Sequence, residues 1–150
     1  TDIRVTARAC ERGGADALTA VNTFVGLAID LDHMRSRLGR ATGGLSGPAI
    51  KPLALARCWE ASSAVRIPVL GSGGISSGRD ALEFMAAGAT AVQVGTATFV
   101  EPEACTRVLA EMREWLGARG YAKVTGLVGT FRADAAQEST MKHSEESVET

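Results

Sequence analysis

Two short apolar runs in this chain end in glycine, and a helical pattern follows each of them. Residues 67–74 read IPVLGSGG, and residues 89–97 read ATAVQVGTA. Short apolar runs bounded by turn residues are typical of strands buried on both faces of a parallel sheet. Glycine has no Cβ, so it allows the backbone to take positive φ or to approach a ligand closely. The two junctions therefore predict a parallel sheet with a ligand at the carboxyl ends of its strands.

The rest of the chain shows the same alternation of helix and strand. The pattern predicts strands over residues 15–23, 66–74 and 89–97, and helices over residues 2–12, 52–65, 76–88 and onward from Pro102. Ser77 and Asp80 have the spacing of a capping box at the start of the third helix. Alternation of this kind implies an α/β fold in which crossover helices join parallel strands.

Phosphate is the ligand that such glycine junctions favour. Backbone N–H groups at strand ends donate hydrogen bonds to a phosphate, and (β/α) barrels commonly build this site from the loops after their last two strands. A tight turn without a ligand would explain either junction alone, but two in succession favour a phosphate-bearing ligand. The spacing matches neither the P-loop nor the dinucleotide motif GxGxxG with its acidic residue.

Composition and charge argue against several classes of protein. The formal net charge is −1 and the basic residues are scattered, so we expect no nucleic-acid partner and no membrane surface. No apolar run has the length of a signal peptide core or a membrane span. Cys10, Cys58 and Cys105 lack metal-ligand spacing, so we expect no metal site and small buried thiols in a cytoplasmic protein.

Two segments fall outside the alternation. Residues 24–51 form a long, irregular, glycine-rich stretch, and loops of that length are usually functional or disordered. Lys51, at its end, precedes a helix, and we assign it no role because most exposed lysines are solvated. The polar residues 133–150 predict a disordered tail after one folded part, residues 1–132.

Four segments together resemble the carboxyl-terminal half of dihydroorotate dehydrogenases. They are AVNTF, TGGLSGPAIKP, GSGGI and DALEFMAAGATAVQVGTA, in the order and separation of that family. The resemblance implies an FMN-dependent (β/α)8 TIM barrel of pyrimidine biosynthesis, of which residues 1–132 would form an incomplete carboxyl-terminal part. NTFVGLAID followed by TGGLSGPAIKPLAL is most similar to the class whose catalytic subunit pairs with an iron–sulfur and FAD subunit that passes electrons to NAD.

The resemblance also implies roles for individual residues. Asn22 and Thr23 would contact the dihydroorotate or orotate ring, since an amide and a hydroxyl suit an amide-rich pyrimidine. Taken singly, Asn22 is equally explained as a turn residue and Thr96 as a helix cap. The residues expected to contact FMN are Val21, Gly47, Gly73, Gly74, Gly95 and Thr96.

The family's reaction moves a hydride from C6 of dihydroorotate to the flavin while a side chain removes the C5 proton. The resemblance places that base, a cysteine, and a flavin-contacting lysine in the amino-terminal half. We therefore expect no catalytic residue in these 150 residues and no activity from them alone. Cys10, Cys58 and Cys105 fall in helical segments outside the barrel and are not expected to replace the base.

The implied partners are the pyrimidine and the iron–sulfur and FAD subunit. An incomplete barrel would also expose strand edges that favour pairing with another copy of the chain, so we expect a homo-oligomer. Three alternatives remain at this point. One is another FMN-dependent barrel such as dihydropyrimidine dehydrogenase, the second is a non-catalytic half barrel that binds flavin or phosphate, and the third is an assembly fragment with no ligand of its own.

Overall fold

The computed structural model describes residues 2–133, which contain the predicted helices and the three predicted strands, with further short strands within residues 24–45. The strands are, in chain order, β1 Leu18–Ala20, β2 Phe24–Gly26, β3 Ile29–Asp30, β4 Arg35–Ser36, β5 Gly43–Leu45, β6 Val69–Ser72 and β7 Ala91–Gln93. The helices are α1 Ile3–Arg12, α2 Lys51–Ala64, α3 Gly78–Ala86, α4 Ala97–Val100 and α5 Ala104–Ala118. Short 3-10 helices lie at Pro48–Ile50 and Val124–Gly126.

The three predicted strands form one parallel sheet in the order β1-β6-β7. Leu18 is paired with Val69, and Leu70 with Ala91. Each strand is shorter than predicted at both ends, since only the central residues of each apolar run are paired with a neighbouring strand. The α/β fold is as expected, and the loops of interest all leave the same edge of the sheet.

The helices form a continuous layer on this sheet, since α1 contacts α2, α2 contacts α3 and α3 contacts α5. The core between helices and sheet contains Phe84, Val69 and Cys58, all fully buried. A Cβ on Gly71 would lie 2.6 Å from the ring of Phe84. The missing side chain at Gly71 therefore lets α3 pack directly on the central strand.

The expectation of strands buried on both faces is wrong for the described residues. Ala20, Val69 and Gly71 face the helices and are buried, whereas Thr19 and Gln93 are exposed. The reason is that three strands cannot close on themselves into a barrel, which needs eight. One face of the sheet is consequently open.

The stretch predicted to be irregular is a folded arm, defined here as residues 24–45. Its base is the antiparallel pair β2–β5, and further out β3 pairs with β4. The sequence does contain a strand signal that the expectation overlooked, because apolar residues occupy every second position: Val25, Leu27, Ile29 and Leu31. Pairing of β2 with β5 returns the chain to its starting point, so residue 46 lies beside residue 23.

The expectation of buried thiols holds for one cysteine only. Cys58 is buried, but Cys10 and Cys105 are exposed. All three lie in helices, as predicted. Apart from Ala133, the predicted tail 133–150 lies outside the described residues. Within residues 2–133, no helix combines the length and apolar character needed to cross a membrane.

Candidate functional site

The carboxyl ends of the three parallel strands border one cavity of about 370 Å³. Its walls come from the turns after β1 and β6, the end of the arm and the loop after β7. All eight residues expected to contact substrate or cofactor line this cavity: Val21, Asn22, Thr23, Gly47, Gly73, Gly74, Gly95 and Thr96.

The connection between β6 and α3 packs so closely that two positions require glycine. Gly73 has φ +129° and Gly74 has φ +73°, values that side chains with a Cβ rarely adopt. A Cβ on Gly74 would lie 2.8 Å from both the Gly47 carbonyl oxygen and the Lys51 backbone nitrogen. A Cβ on Gly73 would lie 2.6 Å from that of Ala54. Conformation and packing therefore account for both glycines, with or without a ligand.

Several backbone N–H groups on the cavity wall have no acceptor. Among residues 2–133, the cavity-lining N–H groups that donate no hydrogen bond include those of two loops, Gly73, Gly74 and Ile75 after β6 and Gly95, Thr96 and Ala97 after β7, together with those of Asn22, Ser46 and Gly47. Gly47 lies between the loop at residues 73–75 and the loop at residues 95–96. Its carbonyl packs on Gly74, and a Cβ on Gly47 would lie 3.6 Å from Thr96 Cγ2. Unpaired N–H groups around a shared cavity suit an anion.

The next three N–H groups along the chain are bonded to acidic side chains. Ser76 and Ser77 donate to Asp80 Oδ2 at 3.0 and 2.9 Å. Gly78 donates to Glu111 Oε2 at 2.5 Å. The Ser77 hydroxyl accepts from the Asp80 N–H, which completes the predicted capping box. The protein's own carboxylates thus occupy the start of α3, and the unpaired donors lie in the loop before it.

Asn22 and Thr23 follow β1 directly, where the chain enters the arm. Asn22 Oδ1 accepts from the Thr23 N–H at 2.7 Å. The Asn22 side-chain NH2 and the Thr23 hydroxyl border the cavity and have no partner in the described part of the chain. Both remain available to a polar ligand.

The Thr96 side chain does not cap the helix that follows it. Its hydroxyl instead donates to Ser46 Oγ at 2.9 Å. This bond joins the loop after β7 to the segment that ends the arm. Thr96 therefore presents its N–H group to the cavity while its hydroxyl is used to hold two loops together.

Lys51 is not the solvated lysine that the sequence suggested. Its side chain is only 23% exposed, and its ammonium pairs with Asp80 Oδ1 and, at 2.6 Å, with Glu83 Oε2. Burial alone would lower the pKa of Lys51, but the hydrogen bonds to the two carboxylates outweigh it and raise the pKa. Nothing local in the sequence indicated this pairing, because both carboxylates lie on a different helix.

Asp80 is the buried centre of this group. Burial by itself would raise the pKa of Asp80, but hydrogen bonds from Lys51, Ser76 and Ser77 outweigh it and lower the pKa to about 2. The carboxylate is therefore charged throughout the physiological range. The sequence indicated Asp80 only as a helix cap.

Arg107 is a second charged residue that the sequence analysis missed. Its guanidinium donates to the carboxylates of Glu101 and Glu111, and the shortest bond to each is 2.7 Å. It also donates to the Ser76 carbonyl at 3.0 Å. Arg107 lines the cavity, but its charge is balanced by these two carboxylates. Its spacing of four residues from Glu111 along α5 is the one signal that could have suggested part of this network.

No cysteine, histidine or lysine lies among the described residues that line the cavity. Cys58 is buried between helices and sheet, and burial raises the pKa of its thiol to about 11. A protonated, inaccessible thiol is a poor base. The prediction that the cysteines of this chain do not act as the base agrees with this placement for Cys58.

Comparison with known proteins connects this geometry to one family. The family model described as dihydroorotate dehydrogenase matches residues 1–116. The catalytic subunit of dihydroorotate dehydrogenase B (NAD(+)) from Trichlorobacter lovleyi is 56% identical over 131 residues, covering 87% of this chain and 43% of that protein. A putative dihydroorotate dehydrogenase A (fumarate) from Solibacter usitatus is 55% identical over 126 residues, covering 84% and 41% respectively. The chain thus spans less than half the length of these relatives.

A solved structure shows the same fold. DHODH from Eimeria tenella, crystallised with ferulenol, matches with a TM-score of 0.72 and 30% identity, over 87% of this chain and 35% of that one. The three-stranded sheet and its helices are accordingly part of a (β/α)8 barrel, which confirms the predicted fold.

Proposed function

The chain belongs to the dihydroorotate dehydrogenase family, and from that premise we propose that its cavity binds FMN together with dihydroorotate or orotate. The family's enzymes are flavoproteins and oxidoreductases. The observation that supports FMN in particular is the set of unpaired N–H groups in the two loops after β6 and β7. These donors fit the FMN phosphate, because a phosphate offers several acceptor oxygens to backbone amides.

Each part of the ligand has its own set of residues in this proposal. The loop residues Gly73, Gly74, Gly95 and Thr96 hold the phosphate and the ribityl chain. Gly47 and Val21 lie against the rest of the cofactor. A short loop with no side chains at 73 and 74 lets the backbone itself serve as the binding surface.

The pyrimidine has its own contacts at the end of β1. The free NH2 of Asn22 donates to a pyrimidine carbonyl, and the free Thr23 hydroxyl can donate or accept. Gly44 in β5 supports Thr23 from the arm, since a Cβ there would collide with the threonine side chain. The arm consequently fixes the orientation of Thr23.

FMN, when bound, supplies the acceptor for the hydride that leaves C6 of dihydroorotate. The residues of this chain bind and orient the two ligands. A base for the C5 proton is expected outside this chain, since no cysteine or lysine borders the cavity among residues 2–133. In this proposal, residues that complete the barrel supply the base, and the whole protein converts dihydroorotate to orotate in pyrimidine biosynthesis.

The electron acceptor distinguishes two candidate functions. The relative named as an NAD(+)-linked catalytic subunit favours a partner subunit with iron–sulfur and FAD groups. The similarly identical relative named as a fumarate enzyme favours a protein that uses fumarate directly. The notable similarity of NTFVGLAID and TGGLSGPAIKPLAL to the first class makes the NAD-linked function the leading proposal.

Flavin binding tests the proposal directly. The purified full chain is incubated with FMN, passed through gel filtration and examined for flavin absorbance. We expect FMN to remain with the protein in equimolar amount and a monodisperse oligomer to elute. Protein that elutes folded but free of flavin would refute the cofactor assignment.

Turnover tests the rest of the proposal. The chain is joined to the amino-terminal segments of the Trichlorobacter lovleyi relative, and dihydroorotate oxidation is followed with NAD plus that relative's partner subunit, or with fumarate. Reduction of bound FMN by dihydroorotate is expected only in the completed barrel. Flavin binding without reduction in the completed barrel would favour the non-catalytic half barrel instead, and reduction by dihydropyrimidines alone would favour the other FMN-dependent barrels.

A further inference from the structure

An ion-pair group lies directly behind the loop that presents the unpaired N–H groups. Lys51, at the start of α2, contacts Asp80 and Glu83 of α3. None of the three lines the cavity. The mechanism described above uses none of them.

Each end of the Lys51–Asp80 pair is tied to a different wall of the cavity. On one side, the 3-10 turn Pro48–Ile50 connects Gly47 to Lys51. On the other side, Asp80 Oδ2 accepts hydrogen bonds from the Ser76 N–H and hydroxyl and from the Ser77 N–H. The pair therefore bridges the Gly47 wall and the loop at residues 73–77.

The Gly47 wall and the loop at residues 73–77 are closely packed where they meet. The position of a Cβ on Gly74 is 2.8 Å from Gly47 O, Lys51 N and Lys51 Cβ alike. A shift of either wall by a few tenths of an ångström would change the direction of the N–H groups of residues 73–75. Asp80 is only 9% exposed and the Lys51 side chain 23%, so salt screens this partly buried pair less than it screens a surface ion pair.

We propose that the Lys51–Asp80 ion pair is a positioning device that holds the Gly73–Gly74 loop against the Gly47 wall, so that the free N–H groups of the loop converge on the cofactor phosphate. This inference rests on the proposed function. Lys51 is not a phosphate ligand in this account, because two carboxylates already neutralise its ammonium. Glu83 is the weaker partner, since it is more exposed than Asp80.

The test uses the full chain with Lys51→Met, Asp80→Asn and the double variant. Arg57→Met is the matched control, because Arg57 lies on the same helix and pairs at 2.6 Å with Glu60 away from the cavity. The dissociation constants of FMN and riboflavin are measured by flavin fluorescence at a temperature where circular dichroism shows every variant folded. Riboflavin serves because it lacks only the phosphate.

Each single variant is expected to weaken FMN binding by about tenfold or more, as charged hydrogen bonds of this kind are lost. Riboflavin binding should change less than twofold, the double variant should be no worse than the worse single variant, and Lys51→Arg should restore most of the FMN affinity. Parallel losses for FMN and riboflavin, or unchanged FMN binding, would overturn the positioning role.

Amide hydrogen exchange of the chain without ligand separates the two proposals. Lys51→Met is expected to speed exchange of the Ser76 and Ser77 amides by about tenfold, while Arg57→Met leaves them unchanged. If the unaltered chain binds no FMN, the proposed function fails whatever the exchange rates are. Unchanged exchange in Lys51→Met would refute the positioning role, whether or not FMN binds.

Discussion

The connection between β6 and α3 contains two adjacent stretches that use their backbone N–H groups in opposite ways. The N–H groups of residues 73–75 have no acceptor among residues 2–133, whereas those of residues 76–78 are bonded to Asp80 and Glu111. The first stretch contains two glycines with positive φ, and the second begins a capped helix. The helix start is thus closed to a ligand, and the loop before it is the part that can bind one.

This difference changes the usual picture of phosphate binding in α/β folds. A phosphate often sits at a helix N-terminus, where free N–H groups and the helix dipole attract it. In this chain, Asp80 and Glu111 already place negative charge at the start of α3. These carboxylates already accept from the N–H groups of residues 76–78, so the phosphate site proposed above lies at residues 73–75 and the neighbouring loop at Gly95.

The largest expected effect comes from altering residues 73–75, called here the open stretch. Gly74→Ala should lower the free energy of unfolding by about 3 kcal/mol and abolish FMN binding, because a Cβ at φ +73° is strained and collides with backbone atoms. Gly95→Ala is the control, since no atom lies within 4 Å of its Cβ position. It should change stability by less than about 0.5 kcal/mol. Equal urea midpoints for the two variants would show that the close packing at Gly74 does not contribute to stability.

Residues 76–78, called here the closed stretch, depend for their stability on the charge of Asp80. Asp80→Asn should cost about 2 kcal/mol of unfolding free energy at neutral pH, since the carboxylate is largely buried and its hydrogen bonds lower its pKa from 3.8 to about 2. A lowered pKa means that this stabilisation is complete above pH 3.8 and is lost as the pH falls toward 2.

Urea unfolding between pH 2 and pH 7 measures this contribution of Asp80. The difference in unfolding free energy between the unaltered chain and Asp80→Asn should shrink as the pH falls through the window between the two pKa values. A difference that stays constant with pH would mean that the charge of Asp80 contributes nothing.

A smaller effect is expected at the other acidic partner of the closed stretch. Glu111→Gln keeps an oxygen that can accept from the Gly78 N–H but loses the ion pair with Arg107. Because Glu111 is partly exposed, thermal unfolding should detect a loss of at most about 1 kcal/mol. FMN binding should be unchanged within twofold, and a larger loss of FMN affinity would place Glu111 closer to the ligand than the structure does.

In the neighbouring loop after β7, we expect a change in cofactor binding worth less than about 1 kcal/mol and no comparable loss of stability. Thr96→Val removes the hydroxyl that bonds Ser46 but keeps the N–H group that borders the cavity. The FMN dissociation constant, measured by fluorescence titration, should rise only about threefold to fivefold. Complete loss of binding would mean that the hydroxyl itself, and not the backbone, is the main phosphate donor at this position.

Features that depend on nearby residues could be predicted from the sequence. The capping box of Ser77 and Asp80 spans four residues, and the structure contains it as predicted. The glycine junctions predicted a ligand site at the carboxyl ends of the parallel strands, which meet at one edge of the sheet. The resemblance to the family, and not the glycine pattern, implied the individual residues that line the cavity. The roles of those residues in binding stay a prediction.

Features that depend on distant contacts could not be predicted. Lys51 looked like a surface lysine because its partners lie on α3, which the sequence does not place beside α2. The alternation of apolar residues over 25–31 did signal strands in the arm, but each strand there has only two or three residues. Their antiparallel pairing depends on contacts between distant residues, which the alternation alone does not show.

We propose that the open stretch and the Gly95 loop together bind the FMN phosphate through their backbone. A titration of the 15N-labelled full chain with FMN, followed by amide chemical shifts, tests this most directly. We expect the largest changes at the amides of residues 73–75 and 95–96, with small changes at 76–78. Saturable binding whose largest shifts fall at 76–78, or away from both loops, would contradict it.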